Sequence, residues 1–238
     1  MNEFRKPTKM DSLLKLKEGE VINPRTIFDV GGGETGTPAL GKVFPNSKHV
    51  IFEPQTEYEE GLKKYAERFG LDHELHFKAL SGKTPDTLNS FVIDREYESP
   101  YLIKLDVDGE DFNILSGSTD LLLETDCVVV ESNIFKFYYP EDHSHSRRDI
   151  FNFMNFLNFY NFFLFDITEL CYTQDFLTTV DLVFVNKRLW KENKDNLRPD
   201  YSKVLGPDRK RHTFHQRIFN ENNEASKELL GYLENHFD

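Results

Sequence analysis

The chain has 238 residues, a formal net charge of -12 and a pI of about 5.2. That length suits one large α/β domain with a substantial core. Because phosphate binding depends on Lys and Arg, so acidic a chain argues against nucleic acid and anionic membrane surfaces as partners. Two cysteines are too few for a disulfide framework and suit a reducing, cytoplasmic compartment. We expect neither a secretory signal nor a membrane span.

Short β-rich runs alternate with helical stretches along the chain, which is typical of a mostly parallel sheet covered by helices. In chain order the pattern predicts a strand at 26–30, a strand at 49–52, a helix at 56–69, a strand at 75–79, a helix at 84–96, a strand at 101–107, a helix at 112–124, a strand at 127–131, a helix at 149–160, and strands at 162–167 and 181–186. The last two strands are close in sequence and therefore predict an antiparallel pair at the sheet edge. The predicted fold is a Rossmann-like α/β sheet.

A glycine turn follows the first predicted strand directly. Gly31, Gly32, Gly33 and Gly36 would let the backbone bend sharply and approach a ligand closely. In a dinucleotide fingerprint the glycines lead and face a pyrophosphate, beside which a carboxylate is unfavourable. Asp29 comes before these glycines. We therefore expect it beside a cationic ligand, such as a sulfonium that carries an α-amino group.

Glu53 ends the second predicted strand, next to the glycine turn in the expected sheet. A carboxylate at that point can accept both ribose hydroxyls of an adenosine. The two features together predict a nucleoside-containing cofactor. The loop after the third strand, with Ala79 and Leu80, is placed to contact an adenine ring, although an ordinary turn explains it equally well.

Three stretches resemble the FkbM family of S-adenosylmethionine-dependent methyltransferases. They are 27–31 (IFDVG), 51–54 (IFEP) and 103–110 (IKLDVDGE), the last continued by 114–117 (ILSG). The resemblance spans roughly residues 25 to 133. It implies a class I methyltransferase sheet with a terminal antiparallel strand, S-adenosylmethionine as cofactor, and methyl transfer to an oxygen. The implied cofactor contacts are Asp29, Gly31, Gly33, Glu53, Pro54, Ala79, Leu80 and Asp106.

The order of the predicted elements also suggests a domain plan. Residues 25–190 would form the methyltransferase domain, 1–24 an N-terminal extension, and 191–238 a C-terminal extension packed on the domain. An insert at about 132–148 interrupts the alternation beside the end of the fifth strand. It carries Tyr138, His143 and His145, which could contact a sugar ring or act as a base near neutral pH. A surface loop with incidental histidines is an equal alternative.

The chemistry requires an acceptor oxygen in line with the leaving sulfur and a base for its proton. Lys104 and Asp106 lie two residues apart on one strand and therefore share a face. In one hypothesis Asp106 or an insert histidine is the general base, and Lys104 tunes the carboxylate. A Lys104–Asp106 ion pair with a purely structural role is the alternative.

A second hypothesis uses a metal ion. Asp106, Glu131 and Asn133 follow adjacent strands, and oxygen ligands of this kind suit Mg²⁺ or Ca²⁺. We favour the hypothesis without a metal. Asp108, Glu110, Glu131, Asn133 and Tyr138 are then the expected substrate contacts.

The sequence thus predicts an O-methyltransferase acting on a hydroxyl of a carbohydrate or glycosylated small molecule. One alternative is an N-methyltransferase of a small amine or a protein side chain. Another is a catalytically silent S-adenosylmethionine-binding module. The expected partner is a small-molecule or saccharide substrate, with a homodimer as the alternative to a monomer.

Overall fold

The computed structural model describes residues 7–134, 149–173 and 175–189. Its helices are α1 Lys9–Glu18, α2 Pro38–Val43, α3 Glu59–Phe69, α4 Leu88–Val92, α5 Asp111–Ser116, α6 Thr119–Leu122 and α7 Ile150–Phe159. Its strands are β1 Thr26–Val30, β2 Lys48–Phe52, β3 Asp72–His76, β4 Tyr101–Leu105, β5 Thr125–Asn133, β6 Phe162–Thr173 and β7 Phe176–Asn186. A 3-10 turn at Thr56–Tyr58 leads into α3.

The strands form one seven-stranded sheet in the order β3-β2-β1-β4-β5-β7-β6. β1 to β5 run parallel, whereas β7 pairs antiparallel with both β5 and β6. This confirms the predicted mostly parallel α/β sheet with its antiparallel strands at one edge. The strand order reverses between β1 and β4, and a crevice forms at the carboxyl ends of the strands at such a switch point.

Alternate residues of the strands supply two cores on opposite faces of the sheet, as the period-2 geometry of strands requires. On one face, Phe28 and Ile103 pack with residues of α4, α5 and α7, including Phe153. On the other face, Ile27 and Leu102 pack with residues of α1 and α2. The sheet is therefore covered on both sides, as its parallel strands demand.

Helix α1 lies within the segment expected to be an N-terminal extension, and the sequence patterns did not predict it. A capping box starts it, since Thr8 Oγ1 accepts from the Asp11 N–H while an Asp11 carboxylate oxygen accepts from the Thr8 N–H. Leu13 and Leu16 are fully buried against Val183 of β7 and its neighbours. The helix is therefore part of the domain core.

Several predicted boundaries were wrong. The third strand is Asp72–His76 and not 75–79, because it is an edge strand with no fully buried residue and an apolar pattern does not mark it. Lys48 on β2 instead fixes its register through ion pairs with Asp72 and Glu74, at 2.9 and 3.2 Å. The helix predicted at 112–124 is two short helices separated at Gly117, and the helix predicted at 84–96 is reduced to α4.

The β6–β7 hairpin is longer than predicted, with strands of 12 and 11 residues. Bulges interrupt β6, one of them between Thr168 and Cys171, where Glu169 has a φ of 49°. Such bulges redirect side chains locally. Among the described residues, none of the helices has the length and apolar character that crossing a membrane requires.

Candidate functional site

A cleft of about 1100 Å³ opens at the carboxyl ends of the central strands. It contains seven of the residues predicted from sequence: Gly31, Gly33, Glu53, Lys104, Asp106, Asp108 and Glu131. A smaller cavity of about 740 Å³ lies at the opposite ends of the strands, beside Arg25, Lys48 and Asp72. Ligands of open α/β sheets bind at the carboxyl ends, so the larger cleft is the candidate site.

The glycine turn brings the ends of β1, β2 and β4 together. The N–H groups of Gly31 and Gly32 both donate to the Phe52 carbonyl, at 2.9 and 3.1 Å. Gly31 has a φ of +80°, and a Cβ there would lie 1.9 Å from the Asp106 carbonyl oxygen. No other residue fits this position, because both the backbone conformation and the contact with the segment after β4 exclude a side chain.

Unlike Gly31, Gly33 has open space where a side chain would be. Its φ is +57°, but a Cβ there would meet no atom of the described residues within 4 Å. The space above this glycine belongs to the cleft, which Gly33 lines. The backbone conformation favours glycine, and the open space leaves room for a ligand against the turn.

Two backbone N–H groups hold the carboxylate of Glu53 in place. One carboxylate oxygen accepts from the Gly33 N–H at 2.8 Å, and the other accepts from the Gln55 N–H at 3.0 Å. Glu53 is buried but lines the cleft. Each carboxylate oxygen can accept a further hydrogen bond, so Glu53 is oriented in advance for a ligand with two hydroxyls.

Asp29 occupies a position that corrects the prediction of a direct ligand contact. The residue is completely buried, and it is not among the cleft residues. Its carboxylate accepts from the Thr37 hydroxyl at 3.0 Å and lies 3.1 Å from the Lys104 ammonium. One carboxylate oxygen of Asp29 is thus paired within the protein, whereas the other has no hydrogen-bond partner among the described residues, and Asp29 lies behind the turn and not in the cleft lining.

Lys104 joins three parts of the site. Its ammonium donates to the Gly31 carbonyl at 2.6 Å, besides its contact with Asp29. The nearest Asp106 carboxylate oxygen is 3.7 Å away, beyond hydrogen-bond distance. The ion pair between Lys104 and Asp106 is therefore the weaker interaction, and the lysine mainly ties β4 to the end of β1. Asp106 keeps 40% of its side chain exposed toward the cleft.

The loop after β4 is organised by an acidic residue that the sequence did not single out. Asp111 is buried, and its carboxylate accepts from the N–H groups of Val107 and Gly109, at 2.9 and 3.2 Å. Glu110 is exposed, accepts from the Asn113 amide at 2.9 Å, and lies outside the cleft lining. Of the two adjacent acidic residues, Asp111 thus holds the loop, and Asp108 at its tip faces the cleft with a φ of 51°.

Other predicted site residues do not line the cleft. Pro54 and Ala79 are exposed, Asn133 ends β5, and Leu80 packs in the core with Phe91 and its neighbours. Residues Tyr138, His143 and His145, most of the insert and the whole C-terminal extension lie outside the described residues. Within the described ranges, no group of three or more His, Cys, Asp or Glu side chains is placed to hold a metal ion.

Two elements that the sequence analysis did not assign to the site complete the cleft. Helix α1 and its capping residue contribute Thr8, Lys9 and Met10, and the β6–β7 hairpin contributes Glu169, Cys171, Thr179 and Asp181. Asp181 lies directly opposite Glu131 in the antiparallel β5–β7 register, so both carboxylates are on one face of the sheet. Lys9 forms a 2.5 Å ion pair with Asp181 and offsets part of this negative charge.

The protonation of this pair follows from burial and charge. Burial alone disfavours the ammonium of Lys9, but Asp181, Asp106 and Asp29 outweigh it and raise the pKa of Lys9 above its usual value. Burial also raises the pKa of Asp181, with Asp106 and Glu169 adding to the effect and Lys9 opposing it. Lys9 is therefore a cation at neutral pH.

Comparison with known proteins identifies the fold. No protein-family model matches the chain, and no curated protein sequence matches it significantly. The O-methyltransferase TomG from Streptomyces achromogenes, involved in tomaymycin synthesis and solved with S-adenosylmethionine, is 16% identical, with a TM-score of 0.51 over 78% of this chain and 83% of that chain. An O-methyltransferase from Bacillus cereus, solved with S-adenosylhomocysteine, is 13% identical, with a TM-score of 0.51 over 77% and 84%.

These similarities show that the chain has the Rossmann-like fold of class I methyltransferases. Methyltransferase FkbM from Methylobacillus flagellatus KT also aligns, at 15% identity and a TM-score of 0.49 over 72% of this chain and 47% of that chain. That similarity is too low to assign the FkbM family.

Proposed function

We propose that this protein is an S-adenosylmethionine-dependent methyltransferase. The observation that carries the proposal is the hydrogen bond between Glu53 and the Gly33 N–H, which joins a carboxylate to an open glycine turn at the ends of neighbouring strands. Structures of the same fold that are bound to S-adenosylmethionine or S-adenosylhomocysteine add support. A silent cofactor-binding module and an active enzyme share these features.

The residues of the cleft fit the cofactor. Glu53 would accept the two ribose hydroxyls, and the space above Gly33 would admit the nucleoside close to the backbone. When bound, S-adenosylmethionine supplies a methyl group on a positively charged sulfur. Asp106 lines the cleft beside the turn, and its negative charge favours a cationic ligand group there. Asp29 contributes indirectly, because it holds Lys104 against the Gly31 carbonyl.

For the acceptor, we propose a hydroxyl of a carbohydrate or a glycosylated small molecule, with Asp106 taking up its proton. Asp108, Glu131 and Asp181 line the same cleft and disfavour an anionic acceptor. The same charge suits an amine, so N-methylation is the second candidate. The insert histidines as bases and a divalent ion at Asp106 remain secondary proposals.

Further assignments belong to the same proposal. The 103–110 run favours the FkbM family within the methyltransferases. A catalytic domain at 25–190, flanked by extensions at 1–24 and 191–238, remains our expected domain plan, with α1 added to the catalytic domain. We also propose a cytoplasmic location, a small-molecule or saccharide substrate rather than nucleic acid, and a homodimer as the alternative assembly.

Titration calorimetry with S-adenosylhomocysteine tests the proposal. The Glu53→Ala variant should lose at least about tenfold in affinity, since two charge-assisted hydrogen bonds to the ribose are removed. Glu57→Ala is the matched control, because Glu57 is an exposed glutamate in the adjacent 3-10 turn. Failure of the unmodified protein to bind would refute the cofactor assignment, and equal affinity in both variants would remove Glu53 from the site.

A further inference from the structure

Lys9 lines the cleft but belongs to helix α1 and not to the parallel sheet. Lys9 is the first residue of α1, directly after the capping residue Thr8. Its backbone N–H donates to the Glu169 carboxylate at 2.8 Å, and the Glu169 N–H donates to the Pro7 carbonyl at 3.2 Å. The bulge in β6 and the start of α1 thus hold each other, so the backbone of Lys9 is fixed at the rim of the cleft.

The ammonium group is also held. It lies 2.5 Å from Asp181, and only 14% of the Lys9 side chain is exposed. An ammonium has three N–H donors, and the ion pair with Asp181 uses one direction. Because the buried chain and Asp181 fix its position, Lys9 can offer the remaining donors to a ligand at little cost in side-chain entropy.

The neighbouring charges define what such a ligand would be. The sheet register places Asp181 opposite Glu131 on β5, and β5 is adjacent to β4, after which Asp106 follows. Lys9 and Asp106 both line the cleft, and the Asp106 charge contributes to the raised pKa of Lys9. A cation and several carboxylates that face one cleft match a zwitterion, with the ligand carboxylate on Lys9 and the ligand ammonium facing the acidic side chains.

We propose that Lys9 binds the α-carboxylate of the cofactor, so that α1 forms the part of the cofactor site that recognises its amino-acid end. This inference rests on the proposed function, because it assumes that the cleft binds S-adenosylmethionine. Glu53 would anchor the nucleoside at β2, and the remainder of the cofactor would extend across the ends of β1 and β4 toward Lys9. The carboxylate on Lys9 could also come from an anionic acceptor. Measuring cofactor binding in the absence of any acceptor distinguishes these two sources.

The test is a double-mutant cycle between the protein and the ligand. Calorimetry at constant ionic strength measures the affinity of S-adenosylhomocysteine and of its decarboxylated form, which keeps the amine, for the unmodified chain and for Lys9→Met. We expect decarboxylation to weaken binding to the unmodified chain about tenfold or more, and to have little effect in the variant. Lys15→Met is the matched control, because Lys15 is an exposed lysine of the same helix and its loss changes the net charge equally.

Lys9→Arg keeps the positive charge and should keep most of the difference in affinity between S-adenosylhomocysteine and its decarboxylated form. A purely structural role of Lys9 predicts no such dependence on charge. Equal affinity of the two ligands for the unmodified chain would overturn the inference even if Lys9→Met did not fold. Undiminished discrimination in Lys9→Met would overturn it as well. Failure of the unmodified chain to bind S-adenosylhomocysteine would instead refute the proposed function.

Discussion

A single methyl group added at Gly33 tests whether the open space above this glycine is where the cofactor binds. In Gly33→Ala the N–H that donates to Glu53 is retained, and the new methyl group meets no atom of the described residues within 4 Å. The cost to folding is then confined to the left-handed backbone at a φ of +57°, about 1–2 kcal/mol. For a domain of this size that lowers the Tm by about 2–8 °C.

Gly70 provides a matched control. It ends α3 with a φ of +64°, and a Cβ there also meets no described atom within 4 Å. Gly70→Ala should therefore lose a similar amount of stability. Calorimetry with S-adenosylhomocysteine should show at least a tenfold loss of affinity in Gly33→Ala, about 1.4 kcal/mol, and no change in Gly70→Ala. Equal affinities in two variants of equal Tm would refute the assignment of the space above Gly33 to the cofactor.

Three further changes test the core, a buried histidine and the proposed base. Leu16→Ala should cost about 2–5 kcal/mol in denaturant unfolding because the side chain is fully buried, whereas Leu14→Ala, at a half-buried site in the same helix, should cost less. Burial lowers the pKa of His49, so the unfolded chain takes up this proton first and the free energy of unfolding should fall as the pH drops below about 6.5. That acid-induced loss should be smaller in His49→Gln, and a variant with the same pH profile as the unmodified chain would contradict the burial argument. Asp106→Asn should lower methyl transfer to a panel of hydroxyl compounds by at least about 100-fold at saturating S-adenosylmethionine, and a fully active variant would remove Asp106 as the base.

The parts of the site that the sequence predicts best are those set by strand geometry. Carboxyl ends of parallel strands meet at one edge, so the glycine turn after β1 and Glu53 after β2 had to be neighbours once the sheet was recognised. The structure adds the hydrogen bond that joins Gly33 to Glu53. Strand periodicity likewise placed Lys104 and Asp106 on one face, and both line the cleft.

Asp29 shows what such reasoning misses. A carboxylate before a glycine turn was expected to face a cationic ligand, and its type and position were compatible with that role. Its charge, however, is already compensated by Lys104, which lies directly beside it in the β1–β4 register. Sequence spacing cannot show which of two cations, one in the protein and one in the ligand, a buried acid will meet, since that depends on pairing between strands far apart in the chain.

Lys104 and Lys9 also show that a lysine's role depends on pairing between distant parts of the chain. Lys104 was predicted because it lies on a recognisable strand, and the structure uses its ammonium mainly to join β1 and β4. Lys9 was not singled out because nothing in its own segment indicates a site; only the packing of α1 on β7 and the bulge at Glu169 bring it beside Asp181. The better candidate for ligand recognition is therefore the lysine from outside the strand pattern, since Asp181 holds it at the cleft and its remaining donors are not committed to the sheet.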